Sequence, residues 1–157
     1  MRRPGEQHAP GFSNPDQALI HAFLARGGQP MPMDANPLAR ALHCELLEVD
    51  RARARIAIEF EPDALFIQGT GVLQGGAVSA MLDFAMAFAV LAQAPLGASC
   101  ATVTMNTSFQ RPAPQGRYRA EGEVERLGKT MAFARAQLFN SDAGTLIASA
   151  SSSLALF

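Results

Sequence analysis

The sequence predicts an α+β fold in which a curved antiparallel β-sheet closes over one long central helix. Three observations carry this. Residues 77–94 contain only Ser79, Asp83 and Gln93 as polar positions, so a helix there is apolar on all sides and has to be enclosed by other elements. Two alternating segments precede it. Four more follow it, separated by turn signals at Pro112 to Gly116, Leu127 to Thr130 and Ser141 to Gly144. The resulting order, β-β-α-β-β-β-β, suits a sheet wrapped around a single helix.

Asn14, Pro15 and Asp16 supply an N-cap, a first-turn proline and a favourable acid, and Leu19, Ala22 and Phe23 form a stripe before Gly27 and Gly28; a short helix is expected near 15–26. From Gly28 to Pro37, three prolines and two methionines read as an irregular connection. Leu42, Cys44 and Leu46 alternate through 41–50. Ala54, Ile56, Ile58 and Phe60 share one face of 53–60, giving two half-buried strands. Arg51, Arg53 and Arg55 recur with period two, which marks a solvated strand face rather than a phosphate track. After the apolar helix, strands are expected near 98–110, 116–127, 130–140 and 144–156, arranged as an antiparallel meander. Residues 1–37 form a helix-and-linker extension, and 38–157 the main domain.

With 157 residues the chain fits one domain able to bury a core without metal or disulfide staples. A net charge of −1 provides no basic field for nucleic acid. Cys44 and Cys100 lack CxxC or Cys/His spacing and read as buried small hydrophobes; His8, His21 and His43 are scattered without metal spacing. No metal is expected. The basic start, Met1 to His8, is followed by no apolar stretch, so a cytoplasmic location is expected. A membrane span over 77–94 is disfavoured by Asp83 near its middle and by the absence of flanking basic anchors.

Chemistry concentrates at the start of the long helix. Gly75 and Gly76 open it, and a helix N-terminus presents unpaired N–H groups and the positive end of the macrodipole, a setting that holds an oxyanion. Asp83 offers a base or nucleophile. Seven residue steps from Gly76 to Asp83 return to within ~20° of the same face but ~10.5 Å further along the axis. Within one chain the two are too far apart to share a substrate atom. Two such helices packed antiparallel about a two-fold axis would bring each acid to the other's glycines, creating two composite sites in a homodimer.

The segment Gln68 to Asp83, followed by Thr102 to Pro112, resembles the hotdog-fold acyl-CoA thioesterases of the phenylacetate-degradation type. The Gly-Gly pair, the acid eight residues after its first glycine, the Asn-x-x-Phe-x-Arg-Pro strand and the Gly-Lys-Thr turn occur in family order over about residues 38–156. The resemblance implies a hotdog domain at 38–157 and hydrolysis of an acyl-CoA to free acid and coenzyme A, with no cofactor beyond the coenzyme A of the substrate. It implies that the Gly75 N–H, helped by Gly76, polarises the thioester carbonyl. Asp83 of a partner chain would attack it or activate water, Thr102 would position that water, and Gln68 would orient carbonyl or water. Relatives carry His before the Gly-Gly where this chain has Gln74, which donates hydrogen bonds but does not titrate near neutrality.

Phe66, Met81, Phe84, Met86 and Phe88 are candidates for an acyl pocket or for plain core. Arg111 and Lys129 are candidates for the coenzyme A phosphates or for solvated turn positions. The alternatives to hydrolysis are a non-catalytic acyl-CoA-binding or regulatory protein and, last, an enoyl-thioester hydratase, which requires a histidine paired with an acid. The dimer could itself pair into a dimer of dimers.

Overall fold

The computed structural model describes residues 14–157; His8 and the basic start lie outside the described residues. The element order is α1 (Pro15–Ala25), β1 (Met31–Pro32), α2 (Pro37–Ala41), β2 (Glu45–Asp50), β3 (Arg55–Phe60), a 3-10 turn (Ala64–Phe66), α3 (Gly75–Gln93), β4 (Cys100–Phe109), β5 (Tyr118–Leu127), β6 (Met131–Asn140) and β7 (Leu146–Leu156). The strands form one antiparallel sheet in the order β1-β2-β3-β5-β6-β7-β4. Its inner face wraps α3, as the expected hotdog architecture requires.

The four strands after α3 do not form the simple meander expected. Only β5, β6 and β7 are neighbours in sequence order. β4 crosses to the far edge and pairs with β7, while β5 pairs with β3. The reason lies in the helix: β4 leaves the end of α3 on one side of the sheet, and β5 returns on the other, so both flanks of α3 are covered.

Alternation sets the inner face. Ala120, Ala132, Ala134, Ala136, Leu138, Ala148 and Leu154 are all buried against α3, and small side chains there allow a long helix to lie close to the sheet. Closest approach is at Gly122, where an added Cβ would sit 2.2 Å from the Ala85 carbonyl oxygen. Along α3 the length and mean hydropathy of 1.7 would suit a membrane span, yet Met81, Leu82, Ala85, Met86 and Val90 have no exposed surface because the sheet encloses them.

α1 closes the C-terminal end of α3. Gln17, fully buried, donates from Nε2 to the carbonyls of Leu91, Ala94 and Pro95 at 3.3, 3.4 and 2.9 Å, and its Oε1 accepts from the Gly97 N–H at 2.7 Å. One side chain thus supplies donors to carbonyls at a helix end that has no basic residue in its last turn.

Three local expectations need correction. Segment 28–37 is not wholly irregular, since Met31 and Pro32 pair with Leu46 and Glu45. Leu42 belongs to the cap of α2 rather than to a strand: the Asn36 side chain accepts from the Ala39 N–H at 2.8 Å and Pro37 starts the helix. Arg51 and Arg53 lie in the β2–β3 turn, where Ala54 takes φ 54°; only Arg55 sits on a strand, bonded to Glu123.

Candidate active site

A compact loop delivers the start of α3. Ile67 bridges Leu73, the Gln68 N–H donates to the Val72 carbonyl at 2.8 Å, and the Gly71 N–H donates back to the Gln68 carbonyl at 2.9 Å. Gly71 makes this turn with φ 81°, a conformation glycine adopts without a steric cost. The Gln74 N–H then bonds the Phe66 carbonyl at 2.8 Å and the Leu73 N–H bonds the Ala113 carbonyl at 2.7 Å. Both entry residues are therefore pinned before the helix begins.

Gln74 is the N-cap of α3 and makes no side-chain capping bond. Its carbonyl takes the Ala77 and Val78 N–H groups. Among the described residues, the Gly75 and Gly76 N–H groups have no protein acceptor, and both glycines are exposed. Their φ angles are ordinary, so backbone conformation does not demand glycine at either position, and crowding bears on Gly75 alone. A Cβ on Gly75 would lie 3.3 Å from Phe109 Cζ, whereas a Cβ on Gly76 would meet nothing within 4 Å.

Gly75 borders a groove of about 520 Å³, lined also by Gln68, Leu73, Val78, Phe109 and Arg111 with their neighbours. Arg111 is held there by a bond from Nη1 to the Leu146 carbonyl at 2.9 Å; a guanidinium keeps further donors free after such a contact. The groove thus joins an exposed helix N-terminus to apolar side chains from Leu73, Val78 and Phe109, polar ones from Gln68, Thr70 and Gln110, and one tethered cation.

Asp83 is elsewhere. It sits half-buried on α3, eight residues and ~12 Å along the axis from Gly75, and accepts a hydrogen bond from Thr102 Oγ1 at 2.7 Å. Thr102 can face the helix because of a bulge. A register shift between Thr102 and Thr104 opposes Thr102 to Leu154 but Thr104 to Ser153, so the two threonines point to opposite faces. Thr104 Oγ1 accordingly meets Ser153 Oγ at 2.7 Å on the outer side.

The structure therefore brings together Gln68, Gly75 and Arg111 in one place and Asp83 with Thr102 in another. Phe66 and Phe84 are half-buried, Phe84 within 6.4 Å of Phe60 and 6.0 Å of Phe88 between ring centres. Met81 has no exposed surface and belongs to the core beneath the sheet, so it does not line the groove of its chain. Met86 and Phe88 are core as well. Lys129, in the β5–β6 turn, lies at the Cys100 end of β4, since Thr130 receives the Leu156 N–H and Leu156 pairs with Cys100. The groove lies at the Phe109 end, nine residues or ~30 Å of strand away. Cys100 is only half-buried, against expectation; burial, then the charges of Asp83 and Asp16, push its thiol up to about 11. Among the described residues no three His, Cys, Asp or Glu side chains gather as a metal site.

The residue that sequence reading left without a role is Phe109.

Residues 70–147 match the family model of the thioesterase superfamily. A thioesterase-type, phenylacetic acid degradation-related protein from Ralstonia eutropha JMP134 is 31% identical, with 87% of this chain and 98% of that one covered and a TM-score of 0.74. The chain belongs to the thioesterase superfamily. A thioesterase family protein from Silicibacter pomeroyi shares the fold at 23% identity, covering 90% and 98% of the two chains with a TM-score of 0.74. So does the E. coli PaaI protein of the phenylacetic acid degradation operon, at 17% identity, 90% and 94% coverage and a TM-score of 0.72. No curated protein matches this thioesterase in sequence. Its hotdog fold and phenylacetate-degradation type agree with the resemblance carried by Gly75, Gly76, Asp83 and the Asn106 to Pro112 strand.

Proposed function

We propose that this thioesterase hydrolyses acyl-CoA thioesters in a cytoplasmic homodimer whose two sites each combine residues from both chains. The single observation that carries the proposal is the ~12 Å axial separation of Asp83 from the Gly75 groove, on a helix face the sheet leaves open. Gly75, Gly76, Ser79, Ala80, Asp83, Phe84 and Ala87 are at most half-buried, while Ala77, Val78, Met81, Leu82, Ala85, Met86 and Phe88 to Ala92 are core. β4 adds support. It is a ten-residue edge strand, almost wholly exposed, with Val103 56% exposed, and an unpaired edge of that length invites a partner strand. A two-fold pairing there sets the helices antiparallel and carries each Asp83 toward the other chain's glycines.

In the proposed reaction the thioester carbonyl accepts from the Gly75 N–H, with Gly76 and the helix dipole stabilising the oxyanion as it forms. The partner's Asp83 either attacks the carbonyl carbon, giving an anhydride that water opens, or removes a proton from the attacking water. Thr102 holds that carboxylate in place. The tetrahedral intermediate collapses with loss of coenzyme A thiolate, which takes up a proton. Gln68 orients carbonyl or water. Arg111, together with the partner's Lys129, meets the phosphates of coenzyme A, because the two-fold brings the Cys100 end of one β4 beside the Phe109 end of the other. Neither metal nor redox cofactor enters this scheme.

The test is thiol release from a panel of short, long and aryl acyl-CoAs, with Asp83→Asn as the variant. Turnover lost with the dimer intact supports the reading; unchanged turnover removes it. Gln74 favours one alternative, a protein that binds acyl-CoA without turning it over, since its side chain makes no capping bond and carries no titrating group. Thermal stabilisation by acyl-CoA without hydrolysis of any panel member would establish that alternative.

A further inference from the structure

We propose that Phe109 is the specificity wall of the site, excluding acyl groups branched at C2. This rests on the reading of Gly75 as the oxyanion donor. The tip of the ring, Cζ, lies 3.3 Å from where a Gly75 side chain would begin, with Cε1 at 3.5 Å. It fills the space that glycine vacates and borders the groove beside Val78 and Gln68. A carbonyl oxygen accepting from the Gly75 N–H at about 2.9 Å places its own carbon roughly one bond further out. The acyl C2 then comes into van der Waals range of the ring. A straight chain can turn away from it; a second substituent on C2 cannot turn away on both sides.

Phe109 has little freedom to yield through its backbone. It pairs with Ala148, and the next two residues both donate to the Ile147 carbonyl, Gln110 at 2.9 Å and Arg111 at 3.1 Å. The Arg111 guanidinium adds its bond to Leu146. The chain is thus fastened on both sides of the ring. At 55% exposure the Phe109 ring is left largely uncovered by its own chain, and in the proposed complex the acyl thioester packs against it.

The experiment compares butyryl-CoA with isobutyryl-CoA, which differ in branching at C2. Thiol release gives kcat/KM for the wild type, Phe109→Leu and Phe109→Ala; the non-hydrolysable thioether analogues of both acyl-CoAs give Kd; sedimentation gives the oligomeric state. The wild type is expected to prefer the straight chain about tenfold, in the range one misplaced methyl group commands. Phe109→Ala brings the ratio near unity in both kcat/KM and Kd, Phe109→Leu lies between, and the sedimentation of both variants matches the wild type. An unchanged ratio, a wild-type preference for the branched acyl group, or loss of assembly in both variants overturns the assignment of Phe109 alone. A wild type that neither releases thiol from these substrates nor binds their analogues overturns the acyl-CoA reading together with it.

Discussion

Replacing Gly122 by alanine tests how closely the sheet grips the central helix. The new Cβ would lie 2.2 Å from the Ala85 carbonyl oxygen, 2.6 Å from its carbon and 3.2 Å from the Met86 nitrogen. All three atoms are backbone, so no side chain can swing aside. Restoring an ordinary contact requires helix and strand to part by ~1 Å, which loosens the packing of Leu82, Ala85 and Met86 as well. Overpacking of this kind costs ~1–3 kcal/mol, and a contact between two backbones belongs at the upper end. Against it stands the gain of ~0.4–1 kcal/mol that glycine-to-alanine gives by restricting the unfolded chain. The net expectation is a loss of ~2–3 kcal/mol, a fall in Tm of roughly 5–10 °C for a domain of this size. Far-UV circular dichroism during urea unfolding measures it. Gly69→Ala is the control, because that Cβ would meet nothing within 4 Å and the backbone there is unstrained. If Gly122→Ala unfolds at the same urea midpoint as Gly69→Ala, the close-approach argument is wrong.

Gln17→Leu keeps the volume but withdraws the donor shared by the Leu91, Ala94 and Pro95 carbonyls; a loss of ~1–3 kcal/mol is expected, with faster amide exchange in the last turn of α3. On the outer face, burial raises Glu123 but the hydrogen bonds and charges of Arg135 and Arg55 outweigh it and hold the carboxyl below its ordinary value of 4.5. A depressed folded-state pKa means that the stabilisation is present above 4.5 and is lost as pH falls through the lowered value. Glu123→Gln should therefore flatten the acid limb of a pH–stability curve by less than about 1 kcal/mol, since both arginines are more than half exposed; a steeper limb in the variant would contradict this. The Cys100 thiol, pushed up to about 11, should alkylate slowly at pH 8 in the native state, and Asp83→Asn should speed it by removing one of the charges that raise it. Mass spectrometry of iodoacetamide-treated protein reads the rate, with Cys44, pushed up to about 12 by burial, staying unmodified in both proteins.

Much of this fold was legible because its signals are local. The Asn14, Pro15 and Asp16 cap, the run from Ala77 to Ala94 and the turns at Gly116, Gly128 and Gly144 each placed an element within a few residues. Strand order was not local: which neighbour β4 takes depends on the side from which it leaves α3, and alternation is blind to that. Asn36 and Pro37 carried a legible helix start, but the Leu42, Cys44 and Leu46 alternation overrode it. In the site, Gly75, Gln68 and Arg111 line one groove and Thr102 meets Asp83. Met81 could not be told from core, since a helix buried on nearly every side offers no periodicity to separate a pocket from packing. Gln17, Gly122 and Phe109 act through partners 74, 37 and 34 positions away in the chain, and a single sequence contains no sign of such pairings.

β4 breaks its register between Thr102 and Thr104. Along a regular strand, threonines two apart would look the same way, and the hydroxyl gripping Asp83 would have a twin pressed against the same helix. One surplus residue, Val103, changes the phase. Upstream of it the border strand holds the Asp83 carboxylate; downstream it contributes to a hydroxyl-rich exterior shared with Ser149, Ser151 and Ser153. A single insertion thereby lets ten consecutive residues answer to two surroundings, and the exterior could be rebuilt without moving the oxygen that steadies the acid.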